Sequence, residues 1–177
     1  ENAAPDHWQS HWQAALPNMT RVEQDDWVTP KFDPWAARLD AYVSRARRPV
    51  VLIAHSLGTS LIMHWAARSD TSRIAGAFMV APSDRGPADI WPEATASGFA
   101  PMVLQRLPFP AMVLASRDDP YVAFDRARIF ASAWGATLID MGHSGHMGNA
   151  AKLGLWPAGL VHFGVFLGSL KASGRVA

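Results

Sequence analysis

Two hydrophobic rhythms alternate along the chain. Continuous apolar runs at 50–54, 74–80 and 111–115, rich in Val, Ile, Leu, Met and Ala, predict strands buried on both faces of a sheet. A fourth, shorter strand is expected at 137–141, and 19–22 is a further short candidate. Between the runs, apolar residues recur at helical spacing. Trp8, Trp12 and Leu16 mark a helix over 7–16, and Trp35, Leu39, Tyr42 or Val43, and Ala46 share one face of a helix that Asp33-Pro34 should start. Leu57, Leu61 and Trp65 stripe a helix over 56–68; others are expected at 124–134, closed by Gly135, and at 160–170. Strands alternating with helices predict βαβ units, hence an α/β protein with a mostly parallel sheet covered on both faces, read as a single domain over 1–177. Residues 83–110 break the rhythm with repeated Gly and Pro, and an irregular stretch of that length is expected to be a lid-like insertion rather than a passive connection.

Composition narrows the possible functions. A chain of 177 residues can bury a sizeable core, and its formal net charge of +1 gives no electrostatic reason to bind nucleic acid or anionic lipid. The longest apolar runs are far short of a bilayer span, so no membrane partner is expected. Without cysteine there is no disulfide framework, thiolate nucleophile or thiolate metal site; a reducing compartment is permitted, and a cytoplasmic location is expected. The basic group Arg45, Arg47 and Arg48 complements a helix C-terminus. No oligomeric state follows from the pattern.

The chemistry starts at Ala54-His55-Ser56-Leu57-Gly58. A buried strand, a tight turn with small residues at both ends and an apolar-striped helix form a nucleophile elbow, with Ala54 where the first Gly usually stands. Strand and helix approach closely there, so positions 54 and 58 must be small. Ser56 would project from the turn as nucleophile, and the Leu57 N–H, at a helix N-terminus, would face a developing oxyanion. A serine hydroxyl needs a base, and the base needs a carboxylate to orient it. Both follow in the expected order, each just past a predicted strand. Asp118 and Asp119 compete for the acid; Asp119-Pro120-Tyr121-Val122 fits the Asp-Pro-x-Val pattern common in such hydrolases and favours Asp119. His143 and His146 compete for the base; His146, after Gly145 and further from the strand, has more room to reach the nucleophile.

Other residues invite weaker readings. His7 and His11 lie four apart, but no Glu completes a His-Glu-x-x-His pattern, so no metal is expected. His55, beside the nucleophile, is read as structural, and His64 and His162 sit within helical patterns. Most of the eight Trp are core residues, while Trp27, Trp91 and Trp156 fall in loops and are candidates to line an apolar acyl pocket.

Taken together, Pro5-Asp6-His7-Trp8-Gln9, the segment from Arg21 to Trp27, the elbow, Asp118-Asp119-Pro120-Tyr121, Gly145-His146 and Leu155-Trp156-Pro157 resemble the small α/β-hydrolases related to retinoblastoma-binding protein 9 and bacterial YdeN. The similarity runs in order over nearly the whole chain. It implies a compact three-layer α/β/α sandwich and a serine hydrolase with Ser56, Asp119 and His146 as triad, acting without cofactor on a small acyl substrate (an ester, thioester or activated amide). The alternative is a protein-binding module on the same scaffold with a gated or vestigial site. The chain departs from the family pattern twice. The family begins one strand earlier, roughly ten residues with its turn, and that turn normally supplies a second oxyanion donor. Gly148 also falls between Met147 and Asn149, where relatives place Asn sooner after the His.

Overall fold

The computed structural model describes residues 2–84 and 97–176. Four strands form a parallel sheet in sequence order: β1 (Val50–His55), β2 (Ile74–Val80), β3 (Ala111–Ala115) and β4 (Thr137–Asp140). Five α-helices accompany them among the described residues: α1 (Trp8–Ala15), α2 (Phe32–Arg45), α3 (Leu57–Ala66), α4 (Phe124–Trp134) and α5 (Pro157–Ala172). Strand residues alternate between the two faces. Ala77, Met79, Val113 and Ala115 join a core with α2, α3 and α4, and Phe78, Val80, Met112 and Leu114 join a second core with α1 and α5. The result is a three-layer α/β/α arrangement, the layering that alternating strands and helices predict.

The central strands explain why their boundaries were readable. Every residue of β2 and β3 is buried, so the apolar run and the strand coincide. Gly135 ends α4 in the left-handed conformation, at φ 68°, where an L side chain would be strained.

Four expectations need correction. Residues 19–22 form no strand: a strand exists only through its ladder, and β1 pairs with β2 alone among the described residues. For the same reason β1 is an edge strand: Leu52 and Ala54 are buried and its other residues only half-buried, so it is not buried throughout as expected. Helix α2 starts at Phe32, with Lys31 as N-cap and Asp33 inside the first turn. Phe32 is buried against Phe99 and His64, and that packing outweighs the local capping signal of Asp33-Pro34. Helix α5 begins at Pro157, three residues before the expected start, because Pro is favourable in a first helical turn. In the expected insertion at 83–110, residues 85–96 lie outside the described residues, and the irregular segment that follows buries Phe99, Met102, Leu107 and Phe109. Among the described residues no helix is long and apolar enough to cross a membrane.

Candidate active site

The elbow places Ser56 at the carboxyl end of β1 with φ 53° and ψ −119°, a conformation costly for any residue with a side chain. The surroundings hold it there. The Ser56 N–H donates to the Val80 carbonyl at 3.0 Å. Its own carbonyl accepts from the Thr59 N–H at 2.9 Å and the Thr59 hydroxyl at 2.7 Å. A Cβ on Gly58 would stand 3.3 Å from the Ala54 Cβ, which shows directly why both positions are small. Leu57 opens α3, so its N–H has no carbonyl partner one turn back and faces outward at the positive end of the helix.

Two loops past β3 and β4 meet over this serine. Ser116 Oγ lies 2.6 Å from Asp118 Oδ1 and 3.1 Å from the Gly142 carbonyl, and accepts from the Ser144 N–H at 2.8 Å. The Gly145 N–H donates to Asp118 Oδ1 at 2.8 Å. Asp118 thus stitches the two loops together, and the Ser116 hydroxyl, followed by the Gly145 N–H, holds its carboxyl below the usual carboxylate range. Asp119 points the other way. Its side chain is fully enclosed, it accepts the Tyr121 N–H at 2.8 Å, and it receives His146 Nδ1–H at 2.8 and 2.9 Å on its two oxygens. Across the ring, Ser56 Oγ–H lies 2.8 Å from His146 Nε2. Of the two aspartates Asp119 faces the imidazole; of the two histidines His146 reaches the serine, while His143 is exposed.

The pocket candidates fare differently. Trp91 lies outside the described residues. Trp27 packs edge-on to Trp35 at 5.2 Å, in the layer formed by α2. Trp156 is 5% exposed, with ring centroids 5.1 Å from Trp8 and 6.0 Å from Trp12. A Cβ on Gly159 would come 2.2 Å from its ring. Trp156 is therefore closed into the aromatic core and lines no open acyl pocket; a loop position says nothing about which way an indole turns.

The rings that do touch His146 among the described residues are Tyr121, at 4.5 Å, and His55, at 4.8 Å. Sequence reading passed over Tyr121 as a site residue although it stands inside the acid motif. His7 also turns inward. It is buried, its Nδ1 accepts the Gln9 N–H at 3.1 Å as the cap of α1, and its ring lies 5.1 Å from His55. Burial, then the charge of Arg21, depress its pKa to about 4. Burial takes His55 to about 3.

Direct comparison agrees with the fold. The chain belongs to the serine hydrolase family, whose model matches residues 1–165. It is of the YdeN type: a YdeN-like hydrolase from Pectobacterium atrosepticum is 30% identical over 96% of this chain and 87% of that one, with a TM-score of 0.84. The ydeN gene product of B. subtilis shares the fold at 19% identity, covering 81% of this chain and 80% of its own, with a TM-score of 0.64. An esterase from Rhodococcus does so at 15% identity, 93% and 88% coverage and a TM-score of 0.63. No curated protein matches the chain.

Proposed function

We propose that the protein hydrolyses small acyl esters, with thioesters and activated amides as related substrates, by nucleophilic acyl transfer to water. The observation carrying this reading is the unbroken line Asp119–His146–Ser56, with 2.8 Å between His146 Nδ1 and Asp119 Oδ2 and 2.8 Å between His146 Nε2 and Ser56 Oγ. Ser56 Oγ attacks the carbonyl carbon as His146 Nε2 takes its proton. Asp119 fixes the tautomer and stabilises the imidazolium. The Leu57 N–H donates to the tetrahedral oxyanion. The imidazolium protonates the leaving alkoxide, thiolate or amide nitrogen, and the C–O, C–S or C–N bond breaks. Water then attacks the acyl-enzyme, its proton passing to His146 and on to Ser56 Oγ as the acid is released. Every proton moved is accounted for within these three side chains and water.

An ester is favoured over a peptide on chemical grounds, because an alkoxide leaves more readily than an amide nitrogen and asks less of the general acid. Intact-mass labelling with a fluorophosphonate tests the reading. One adduct is expected on the wild type and none on Ser56→Ala, with turnover of p-nitrophenyl acetate falling by about 10⁴-fold or more in that variant. Equal labelling of both proteins would overturn it, and no labelling of either would favour a binding role for the scaffold.

A further inference from the structure

We infer that His55 is a positioning residue for His146, holding the backbone of the proposed base in place through a hydrogen bond from the buried side of the site. The inference rests on the acyl-transfer reading only for its catalytic consequence; the contact itself is independent of it.

The loop that carries His146 is an awkward piece of backbone. Gly142, Gly145 and Met147 have φ of 65°, 55° and 49°, and Met147 has no glycine freedom to make its conformation cheap. Within the loop a single long bond, from the Met147 N–H to the Ser144 carbonyl at 3.4 Å, does not fix the His146 peptide firmly. Two donors from outside do so, on successive carbonyls. His55 Nε2–H donates to the His146 carbonyl at 2.8 Å, and Trp8 Nε1–H donates to the Met147 carbonyl at 3.0 Å. The peptide plane that follows the His146 Cα is thereby set by a residue adjacent in sequence to the nucleophile. Serine and base are referenced to the same strand end, so the 2.8 Å contact between Ser56 Oγ and His146 Nε2 does not depend on loop stiffness alone.

The neighbours are shaped for this contact. A Cβ on Gly148 would stand 3.3 Å from His55 Cε1, so the loop or the imidazole would have to give by a few tenths of an ångström. His7 backs His55 edge-on from the opposite side, 5.1 Å away, and Tyr121 covers the other face of His146 at 4.5 Å. His55 must be a donor at Nε2, and a neutral one. A second cation 4.8 Å from His146 would oppose the imidazolium that acyl transfer requires. Burial keeps both His55 and His7 uncharged across the range where an ordinary histidine titrates, leaving Asp119 as the charged partner facing His146.

The test uses the whole chain with His55→Leu, which removes the donor; His55→Gln, whose amide restores a donor near the Nε2 position; and His55→Asn, whose shorter amide falls back toward Nδ1. The expected result is a fluorophosphonate labelling rate and a kcat for p-nitrophenyl acetate lowered about ten- to a hundredfold in the Leu variant, with KM little changed. The Gln variant returns to within a few-fold of wild type. Amide hydrogen exchange at residues 143–149 rises in the Leu variant and not in the Gln variant. If Leu fails to fold, Asn takes its place with the same expectation. Wild-type rates in Leu or Asn would overturn the inference, as would equal losses in Gln and the donor-free variants, since both results would reduce His55 to a filler of space. Should wild-type Ser56 fail to label at all, the acyl-transfer reading falls. The exchange contrast then still decides the positioning role: present, it supports that role; absent, it overturns it.

Discussion

The two faces of the sheet are built from different materials, and the site straddles them. On one face, α2, α3 and α4 pack a mixed aliphatic and aromatic core. On the other, α1 and α5 bring Trp8, Trp12, Trp156, Phe163 and Phe166 together with Phe78 in a largely aromatic cluster. Ser56 belongs to the first face, as the turn into α3. The loop carrying His146 leans on the second, through indole N–H groups of α1: Trp8 to the Met147 carbonyl at 3.0 Å and Trp12 to the Leu155 carbonyl at 2.8 Å. The aromatic face therefore does more than fill space. Indoles bury a large apolar area and still keep one donor, so a core of tryptophans can hold irregular backbone that a core of leucines would leave unbonded. Damage to the α2–α4 face away from the elbow should cost stability alone, whereas damage to the α1–α5 face should cost stability and alignment of the base.

The largest effect expected lies where the faces meet. Asp119→Asn should lower kcat by about 10⁴-fold, because the amide cannot hold the imidazole in the productive tautomer. Asp118→Asn should stay within about tenfold of wild type, since Asp118 is an exposed stitch between two loops and touches neither His146 nor Ser56. Steady-state rates on p-nitrophenyl acetate for the two variants separate the roles. Comparable losses would mean that loop stitching, not orientation of His146, sets the rate.

How far the sequence could carry this picture depended on the range of the forces involved. β2 and β3 were readable to the residue because full burial on both faces leaves a continuous apolar run and nothing competes with it. The elbow was readable because its constraint is local: Ala54 and Gly58 must be small, and the strand before them and the helix after them both carry their own patterns. Asp119 and His146 could be favoured from motif and reach. The start of α2, the absence of a strand at 19–22 and the burial of Trp156 were not legible, because each is decided by a partner far along the chain. The contacts from Trp8 and His55 to the base loop span 139 and 91 positions, and no spacing rule registers them. Tyr121 is the exception: its signal lies within the acid motif Asp118-Asp119-Pro120-Tyr121.

The next effect comes with acid. His7 and His55 are neutral, with pKa values depressed by burial to about 4 and about 3 from an ordinary 6.5, and burial lowers His64 as well. Below pH 6.5 the unfolded chain takes up protons that these folded groups refuse. Stability from this source is complete above pH 6.5 and is lost as pH falls through the window down to about 4 and 3, at up to about 1.4 kcal/mol per pH unit for each group. The carboxylates held below their usual range, such as Asp118 and Asp140, add their losses only at lower pH. Denaturant midpoints at pH 7, 6 and 5 should fall steadily, with a shallower slope in His55→Gln. A midpoint unchanged from pH 7 to 5 would show that these imidazoles titrate normally. Two of the three histidines sit on or against α1, so acid should loosen the base loop before the α2–α4 face.

The sharpest test of the comparison has the smallest effect. Trp8 and Trp134 are both 1% exposed, one on each face. Each donates its indole N–H to a backbone carbonyl, Trp8 to Met147 at 3.0 Å and Trp134 to Val103 at 2.8 Å. Trp→Phe at either site removes one buried hydrogen bond and part of an aromatic ring, a loss of about 1–3 kcal/mol. The two variants should therefore show similar drops in denaturant midpoint. Their chemistry should differ. The Met147 carbonyl follows His146 directly, so freeing it in Trp8→Phe lets the base drift and should slow fluorophosphonate labelling several-fold. The Val103 carbonyl belongs to a segment packed against α4, so Trp134→Phe should label at the wild-type rate at the same fraction folded. If the rates of both variants simply track their stability, the two faces are energetically interchangeable and the aromatic layer has no special hold on the site. If Trp8→Phe alone slows, matched stability losses have been separated by function, and the separation lies in which backbone carbonyl each indole holds.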